Sequence, residues 1–129
     1  MKRMIRMLAL VLVLALSVCT LASCAPAGDP DKAVAALKKN GYTAFKADAD
    51  YAGCVAYVNG TKIETTDNGV TVDTVNIYYF ESADAANDVW EELSAKANDD
   101  KKDDQSGWVL KKSGKMIYWG TKAGIAAAR

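Results

Sequence analysis

Histidine is absent from the 129-residue chain, and so are the short motifs that identify most enzyme active sites. Without histidine the chain lacks the commonest general base, and most schemes that bind zinc or activate a nucleophile lose a member. The sequence also contains no glycine-rich phosphate loop, no GxSxG motif and no pair of cysteines at metal-ligand spacing. We therefore expect a protein that is not an enzyme and has no catalytic residue, metal site or bound cofactor.

Cysteine is scarce, with three copies at Cys19, Cys24 and Cys54. Cys54 lies in a run that is typical of a strand, and we interpret it as a small buried residue. The other two fall at the end of an apolar segment near the start of the chain. A domain built from the rest of the sequence keeps one cysteine, so it cannot form an intramolecular disulfide and must be stabilised by packing.

Long apolar runs are absent except at this N-terminal segment. Lys2, Arg3 and Arg6 precede a nearly unbroken apolar stretch over residues 7–22, which is the pattern of an export signal. As a helix, these roughly 16 residues extend about 24 Å, short of the roughly 30 Å of hydrocarbon that a permanent span must cross. The segment therefore favours a targeting role over a lasting transmembrane anchor.

The end of the apolar segment resembles the lipobox of bacterial lipoproteins. Leu21, Ala22, Ser23 and Cys24 supply the branched apolar residue, the two small residues and the cysteine of that motif. The resemblance implies that Cys24 receives a diacylglyceryl group and that residues 1–23 are removed as a lipoprotein signal peptide. The alternative is an ordinary secretory signal in which Cys24 has no special role.

A lipidated Cys24 would fix the location of the chain. The resemblance implies a domain held outside the cell on the outer face of the cytoplasmic membrane, with residues 24–29 as lipidated cysteine and short tether. Two or three acyl chains, at about 0.8 kcal/mol per buried methylene, anchor a protein stably where one chain does not. The covalent lipid would then be the only non-protein group, and the membrane the first partner.

The charge of the exported chain argues against nucleic acid as a partner. The whole sequence has 16 basic and 16 acidic residues, and the signal removes three of the basic ones. The remaining chain is acidic by three charges, so it offers no basic field for phosphate backbones.

Two helices are predicted from capping residues and apolar spacing. The first begins after Asp29 with Pro30 at its first position and ends near Asn40. The second has Ser82 as its N-cap. Its buried face is predicted from residues at helical spacing, namely Ala86, Val89, Trp90, Leu93 and Ala97.

Strands are predicted where β-branched and aromatic residues alternate. Residues 41–48 and 54–58 form the first pair, with Asn59 and Gly60 as a turn signal after the second strand. Residues 70–80 form the longest strand, and a hairpin around Ser113 supplies the last two. The sequence leaves open whether residues 61–66 form a strand or a polar loop.

These elements predict one α+β domain over residues 30–129. We expect a two-layer sandwich with an antiparallel sheet of about five strands and two helices on one face. A helix followed by a hairpin occurs twice, which suggests a pseudo-repeat of that unit. Residues 98–105 contain no apolar side chain and are predicted to form a charged, solvated loop.

Aromatic residues on the predicted strands are the candidate partner-binding face. Neighbouring strand residues point to opposite faces, so a sheet covered on one side must expose one member of each adjacent aromatic pair. Such rings either pack against cross-strand neighbours or bind a partner protein, peptide or glycan. The candidates are Tyr57, Tyr78, Tyr79, Tyr118 and Trp119.

The mature sequence also resembles small, functionally uncharacterised lipoproteins of Gram-positive bacteria, chiefly through IYYFESADAANDVWEEL and GKMIYWGTKAGI. That resemblance implies a location at the cell envelope but no particular activity. We expect a membrane-tethered, non-enzymatic binding or accessory module of the cell envelope. The alternative is a solute-binding lipoprotein that serves a transporter, although a single small domain lacks the two-lobed cleft of such proteins.

Overall fold

The computed structural model describes residues 25–100 and 108–129. The predicted signal, the lipobox and Cys24 lie outside the described residues, as do residues 101–107, which include residues 101–105 of the predicted charged loop. No helix of the described part is long and apolar enough to cross a membrane. The elements are, in chain order, α1 (Pro30–Lys39), β1 (Thr43–Ala47), β2 (Cys54–Thr66), β3 (Gly69–Phe80), α2 (Ala83–Asp100), β4 (Trp108–Ser113), β5 (Met116–Thr121) and α3 (Lys122–Ala127).

The five strands form one antiparallel sheet in the order β1-β2-β3-β5-β4. The hairpins β1-β2 and β4-β5 lie on the two sides of β3, and β3 is the centre of the sheet. This confirms the predicted α+β sandwich with a five-stranded antiparallel sheet.

The helices pack on both faces of the sheet, so their predicted placement on one face is wrong. Val75, Ile77 and Tyr79 of β3 share a core with α1 and α3, whereas Tyr78 and Phe80 share a second core with α2. Because successive strand residues point to opposite faces, these two cores lie on opposite sides of β3. The fold therefore has helices above and below the sheet instead of two layers.

The order of the elements gives a physical reason for the two-sided packing. Each helix-plus-hairpin unit, α1-β1-β2 and α2-β4-β5, places its second strand against β3 and its first strand at the sheet edge. β2 and β5 are both antiparallel to β3 and therefore run parallel to each other on its two sides. A rotation of 180° about the axis of β3 brings β2 onto β5 and also turns the sheet over. Two units related by this rotation place their helices, α1 and α2, on opposite faces of the sheet.

The first helix begins and ends as its capping residues predict. The Asp29 side chain accepts hydrogen bonds from the backbone N–H groups of Asp31 and Lys32 at 2.8 and 3.1 Å. Asn40 caps the other end, and its side-chain amide also donates to the carbonyl of Ala127 in α3 at 3.1 Å. The cap thus joins the two helices of one face.

The β2-β3 hairpin is longer than predicted. Asn59 and Gly60 lie inside β2 instead of forming a turn, residues 61–66 continue the strand, and the turn falls at residues 67–68. Leu37 of α1 lies over Gly60, where an added Cβ would come within 2.8 Å of a Leu37 methyl carbon. Gly60 therefore provides room for the helix, which a turn signal does not reveal.

The second helix also extends past its predicted end. Ser82 accepts a hydrogen bond from the N–H of Ala85 at 3.1 Å, as expected of a cap. Residues 98–100, expected to begin the charged loop, continue the helix to Asp100. The buried residues of its face are Ala86, Val89, Leu93 and Ala97, while Trp90 is half-buried.

Candidate functional site: an uncharged surface on the sheet

Four of the five predicted binding aromatics are buried in the two cores. Tyr78, Tyr79, Tyr118 and Trp119 are each 4% exposed or less, so the expectation that one member of each pair faces solvent is wrong. The reason is the position of α2, which covers the face that was expected to be free of helices. Only Tyr57 remains half-buried at the surface.

The buried aromatics of the α2 face form a continuous stack. The Tyr57 and Tyr78 rings lie 4.7 Å apart between centroids, and Tyr78 stacks on Trp119 at 5.2 Å. Lys96 of α2 donates a hydrogen bond to the Tyr78 hydroxyl at 3.3 Å, and Trp119 donates its indole N–H to Asp100 at 3.2 Å. The stack therefore holds α2 on the sheet, and its last ring, Tyr57, is partly exposed to solvent.

Beside α2, part of the same sheet face is covered by none of the described residues and carries a small polar network. The Tyr57 hydroxyl donates to Asn76 Oδ1 at 2.6 Å, and Asn59 Nδ2 donates to the same oxygen at 2.9 Å. Phe45 of β1 meets the edge of the Tyr57 ring with centroids 6.3 Å apart. Burial raises the pKa of Tyr57, so its hydroxyl stays protonated and keeps this bond at neutral pH.

Exposed apolar side chains continue along this face toward the tip of the β2-β3 hairpin. Ile63 lies opposite Val72, and Thr65 lies opposite Val70, on the same side as the Asn59 and Asn76 pair. The four large apolar residues of the face, which are between 40% and 67% exposed, are Phe45, Ile63, Val70 and Val72. A two-stranded hairpin is only marginally stable in water by itself. An exposed apolar patch on such a hairpin therefore indicates a surface that another molecule covers.

Charge is segregated between the two faces of this part of the sheet. Lys46, Lys62, Glu64 and Asp73 all point to the side of α1. On the opposite side, the described residues of β1, β2 and β3 from Ala47 to the hairpin tip include no charged side chain, and we call this the uncharged surface. Its members are Thr43, Phe45, Ala47, Tyr57, Asn59, Thr61, Ile63, Thr65, Val70, Val72, Thr74 and Asn76.

Reactive groups are few in the described residues. The Cys54 thiol is half-buried, burial raises its pKa, and its Sγ lies 3.5 Å from the carbonyl oxygen of Ala56. A thiol with a raised pKa is a poor nucleophile at neutral pH. Residues 25–100 and 108–129 bring together no cluster of carboxylates and cysteines that could hold a metal ion.

Sequence reasoning found Tyr57 but missed the rest of the uncharged surface. The alternation of Ile63 with Lys62 and Glu64, and of Val72 with Asp73, is a signal for one charged and one uncharged face. It becomes readable only when residues 61–66 are assigned to a strand, because the pairing of Ile63 with Val72 then follows.

Comparison with protein-family models, with curated protein sequences and with solved structures finds no match to this chain.

Proposed function

We propose that this chain is a lipid-anchored, non-enzymatic binding module of the cell envelope that docks on another membrane-associated protein through the uncharged surface. The observation that carries the proposal is the separation of charge on the β2-β3 hairpin. Lys62, Glu64 and Asp73 occupy one face, and Ile63, Val70 and Val72 are exposed on the other.

The location rests on the lipobox pattern of Leu21, Ala22, Ser23 and Cys24. The predicted tether over residues 24–29 is packed on the domain from its second residue: Ala25 and Ala27 contact the α1 core, and the Ala27 N–H donates to the Ala128 carbonyl at 2.9 Å. A lipid on Cys24 would therefore hold the domain by a tether shorter than the sequence predicts. A domain on so short a tether stays near the membrane surface, where it meets proteins that are held in the same layer.

The chemistry of the uncharged surface selects the occupant. None of the members of the uncharged surface is charged, and the charges of α2 nearest to it, Lys96 and Asp100, act at its Tyr57 end. A charged polymer therefore gains no ion pair from these members, whereas an apolar protein surface can be buried against them without leaving a charge unpaired. Asn59, Asn76 and the threonines supply hydrogen-bond groups at its centre and rim. We therefore expect a protein partner that presents an uncharged, mainly apolar surface.

The size of the uncharged surface indicates a weak contact that needs the membrane. From Tyr57 to Thr65 the face is roughly 27 Å long and about 12 Å wide, a footprint of roughly 300 Å². Stable soluble complexes bury about 800 Å² on each partner. Confinement of both proteins to one membrane raises their effective concentration and compensates for a small interface.

The alternative, a solute-binding lipoprotein, receives less support. Such a protein encloses its ligand between two lobes. Three cavities of the described residues have volumes of about 320 to 490 Å³, and each is lined by residues of the one sheet, the helices packed on it and their adjoining loops.

A pair of neighbouring positions on opposite faces tests the proposal. A photo-crosslinking amino acid is placed at Ile63, on the uncharged surface, or at Glu64, on the charged face, in the lipidated protein in its native membrane. We expect a discrete crosslinked protein from position 63 that is absent from position 64. The crosslinked protein is then identified, purified and titrated with the wild-type chain and with Ile63→Asn and Glu64→Gln.

The proposal predicts that Ile63→Asn weakens binding of the purified partner about tenfold and that Glu64→Gln changes it less than about twofold. Both variants should keep the wild-type melting temperature, because Ile63 and Glu64 are exposed. Crosslinking to a second copy of this chain, crosslinking to glycan, or equal products from both positions would overturn the assignment of a different membrane-associated protein to this face.

A further inference from the structure

A separate cavity opens on the α1 side of the sheet, between the β4-β5 hairpin and α3. Its volume is about 320 Å³, near the lower end of the range for small-molecule sites. The residues that line it are Val109, Lys111, Tyr118, Lys122, Ile125, Ala126 and Arg129.

The floor of this cavity is apolar and its rim is basic. Tyr118 and Ile125 are 3% and 4% exposed and form the floor with the half-buried Val109. Lys111 of β4 and Lys122 of α3 are exposed at the rim. Arg129 also lines it and donates from Nε to the carbonyl of Ala126 at 3.4 Å. No acidic residue is among the lining residues.

The two rim lysines have no acidic partner among the residues that the structure describes. Lys46 pairs with Asp31 and Lys62 pairs with Glu64, both away from this cavity. Two cations from different elements therefore face one apolar cavity without a described counter-charge. An anion at this cavity would be attracted by the Lys111 and Lys122 ammonium groups, while its apolar portion would cover the exposed edge of the cavity floor.

We propose that this cavity binds a small anionic solute with an apolar body, of the class of medium-length aliphatic carboxylates. The carboxylate would lie between Lys111 and Lys122, and the aliphatic chain would lie on Val109 and Ile125. A free solute fits better than a membrane lipid, because a cavity of about 320 Å³ lies near the lower end of the range for small-molecule sites.

This site is independent of the uncharged surface, which lies on the other face of the sheet. Lys111 and Lys112 show the division clearly, since Lys111 pairs across the hairpin with Tyr118 on the α1 side and Lys112 pairs with Ile117 on the α2 side. Lys112 interacts with Asn87 and lies over the Trp90 ring of α2. The two neighbouring lysines therefore supply a test position and a matched control.

The experiment measures binding of sodium octanoate by calorimetry and by backbone amide NMR. Both apolar cores are built from residues 25–128, so the chain from residue 24 with Cys24→Ser contains both cores and lacks the predicted lipid acceptor. We expect saturable binding with shifts centred on Val109 and Ile125, and a Kd that increases with salt concentration. The double variant Lys111→Gln with Lys122→Gln should raise the Kd about tenfold, and Lys112→Gln less than about twofold.

Three results would overturn the proposal. The first is no saturable binding of octanoate. The second is equal affinity for 1-octanol, which has the same chain without the charge. The third is a failure to bind octanoate combined with binding to vesicles of phosphatidylcholine and phosphatidylglycerol. Vesicles of phosphatidylcholine alone are the control. This outcome would assign the cavity to a lipid headgroup.

Discussion

At the scale of single residues, the buried tyrosines combine an apolar ring with one well-placed hydroxyl. Tyr79 donates to the carbonyl of Ala27 at 2.7 Å and so holds the segment before α1 against the sheet. Burial raises the pKa of both Tyr78 and Tyr79 far above the ordinary value of 10.0. Both hydroxyls therefore remain protonated in the folded chain under conditions in which an unfolded chain would ionise them.

The raised pKa values predict loss of stability at alkaline pH. Above pH 10 the unfolded chain releases the protons of Tyr78 and Tyr79 while the folded chain retains them, so the free energy of unfolding falls as pH rises. The slope should be at most about 1.4 kcal/mol per pH unit for each tyrosine. Urea unfolding between pH 7 and pH 11 measures it. With no histidine in the chain we expect little change between pH 7 and pH 8, and the raised pKa of the Cys54 thiol adds a first loss of stability above about pH 8.5.

Tyr79→Phe is the control for this prediction. It removes one ionisable hydroxyl and its bond to Ala27, so it should lower the stability at pH 7 by about 1 kcal/mol and reduce the slope above pH 10. A stability that stays constant or rises from pH 10 to pH 11 would contradict the assigned burial of these hydroxyls.

At the scale of elements, α2 shows how far helical periodicity reaches. The predicted apolar face is confirmed at Val89 and Leu93, which pack on Ile117 and Trp119 in one core. Trp90 was assigned to the same face but lies at its margin, half-buried, with the Lys112 ammonium 5.7 Å from the ring centroid. Helical periodicity identifies the row of α2 residues that faces the sheet. How many residues beside that row are also buried depends on how closely β4 and β5 approach the helix.

Leu93 should contribute more to the free energy of unfolding than Trp90, although the tryptophan side chain is larger. Leu93 is fully buried, so Leu93→Ala should lower the free energy of unfolding by about 2 to 5 kcal/mol. Trp90→Ala should cost less, about 1 to 2 kcal/mol, because much of the ring surface is already in contact with water or with the Lys112 side chain. Urea melts measure both values, and the exposed Glu92→Ala should stay within about 0.5 kcal/mol. A larger loss for Trp90→Ala than for Leu93→Ala would contradict the packing of this helix.

The strands show where local signals failed. The Asn59 and Gly60 pair predicts a turn, yet contact with Leu37, distant in sequence, keeps Gly60 in the middle of a strand. The second such pair, Asn68 and Gly69, does lie at a turn. No local feature distinguishes the two, because the difference is the helix that packs on one of them.

At the scale of the whole molecule, strand identity and fold class could be predicted, but the side of the sheet that each helix covers could not. Two pairs of adjacent aromatic residues, Tyr78 with Tyr79 and Tyr118 with Trp119, point to both faces of the sheet. In the sequence, such pairs are compatible with a sheet that is covered on one face and with a sheet that is covered on both, and the structure buries all four residues. The choice depends on β3 lying between the two hairpins, which is a long-range arrangement. The uncharged surface was missed for the same reason, since its limits are set by where α2 stops covering the sheet.

The anchoring of the whole molecule is a prediction from the lipobox. Mass spectrometry of the protein extracted from membranes should show an acylated N-terminal Cys24 and no residues 1–23. Cys24→Ala should leave an uncleaved precursor or release the domain from the membrane, because the thiol is the acceptor of the lipid. Ser23→Thr, which keeps the acceptor cysteine, serves as a control for membrane retention. A wild-type protein that retains Met1 would contradict the prediction.

The central position of β3 also determines the order in which the sheet can assemble. β1, β2 and β3 pair as neighbours along the chain, whereas β3 reaches β5 only across α2, with Tyr78 opposite Ile117. Contacts between distant residues form slowly, because a long segment must close before they are made. Since the N-terminal half of any chain is synthesised first, the three-strand meander can form while β3 still presents an unpaired edge. Until β5 arrives, that edge is open to strands of other chains, so the closing step of folding is also the step most exposed to aggregation.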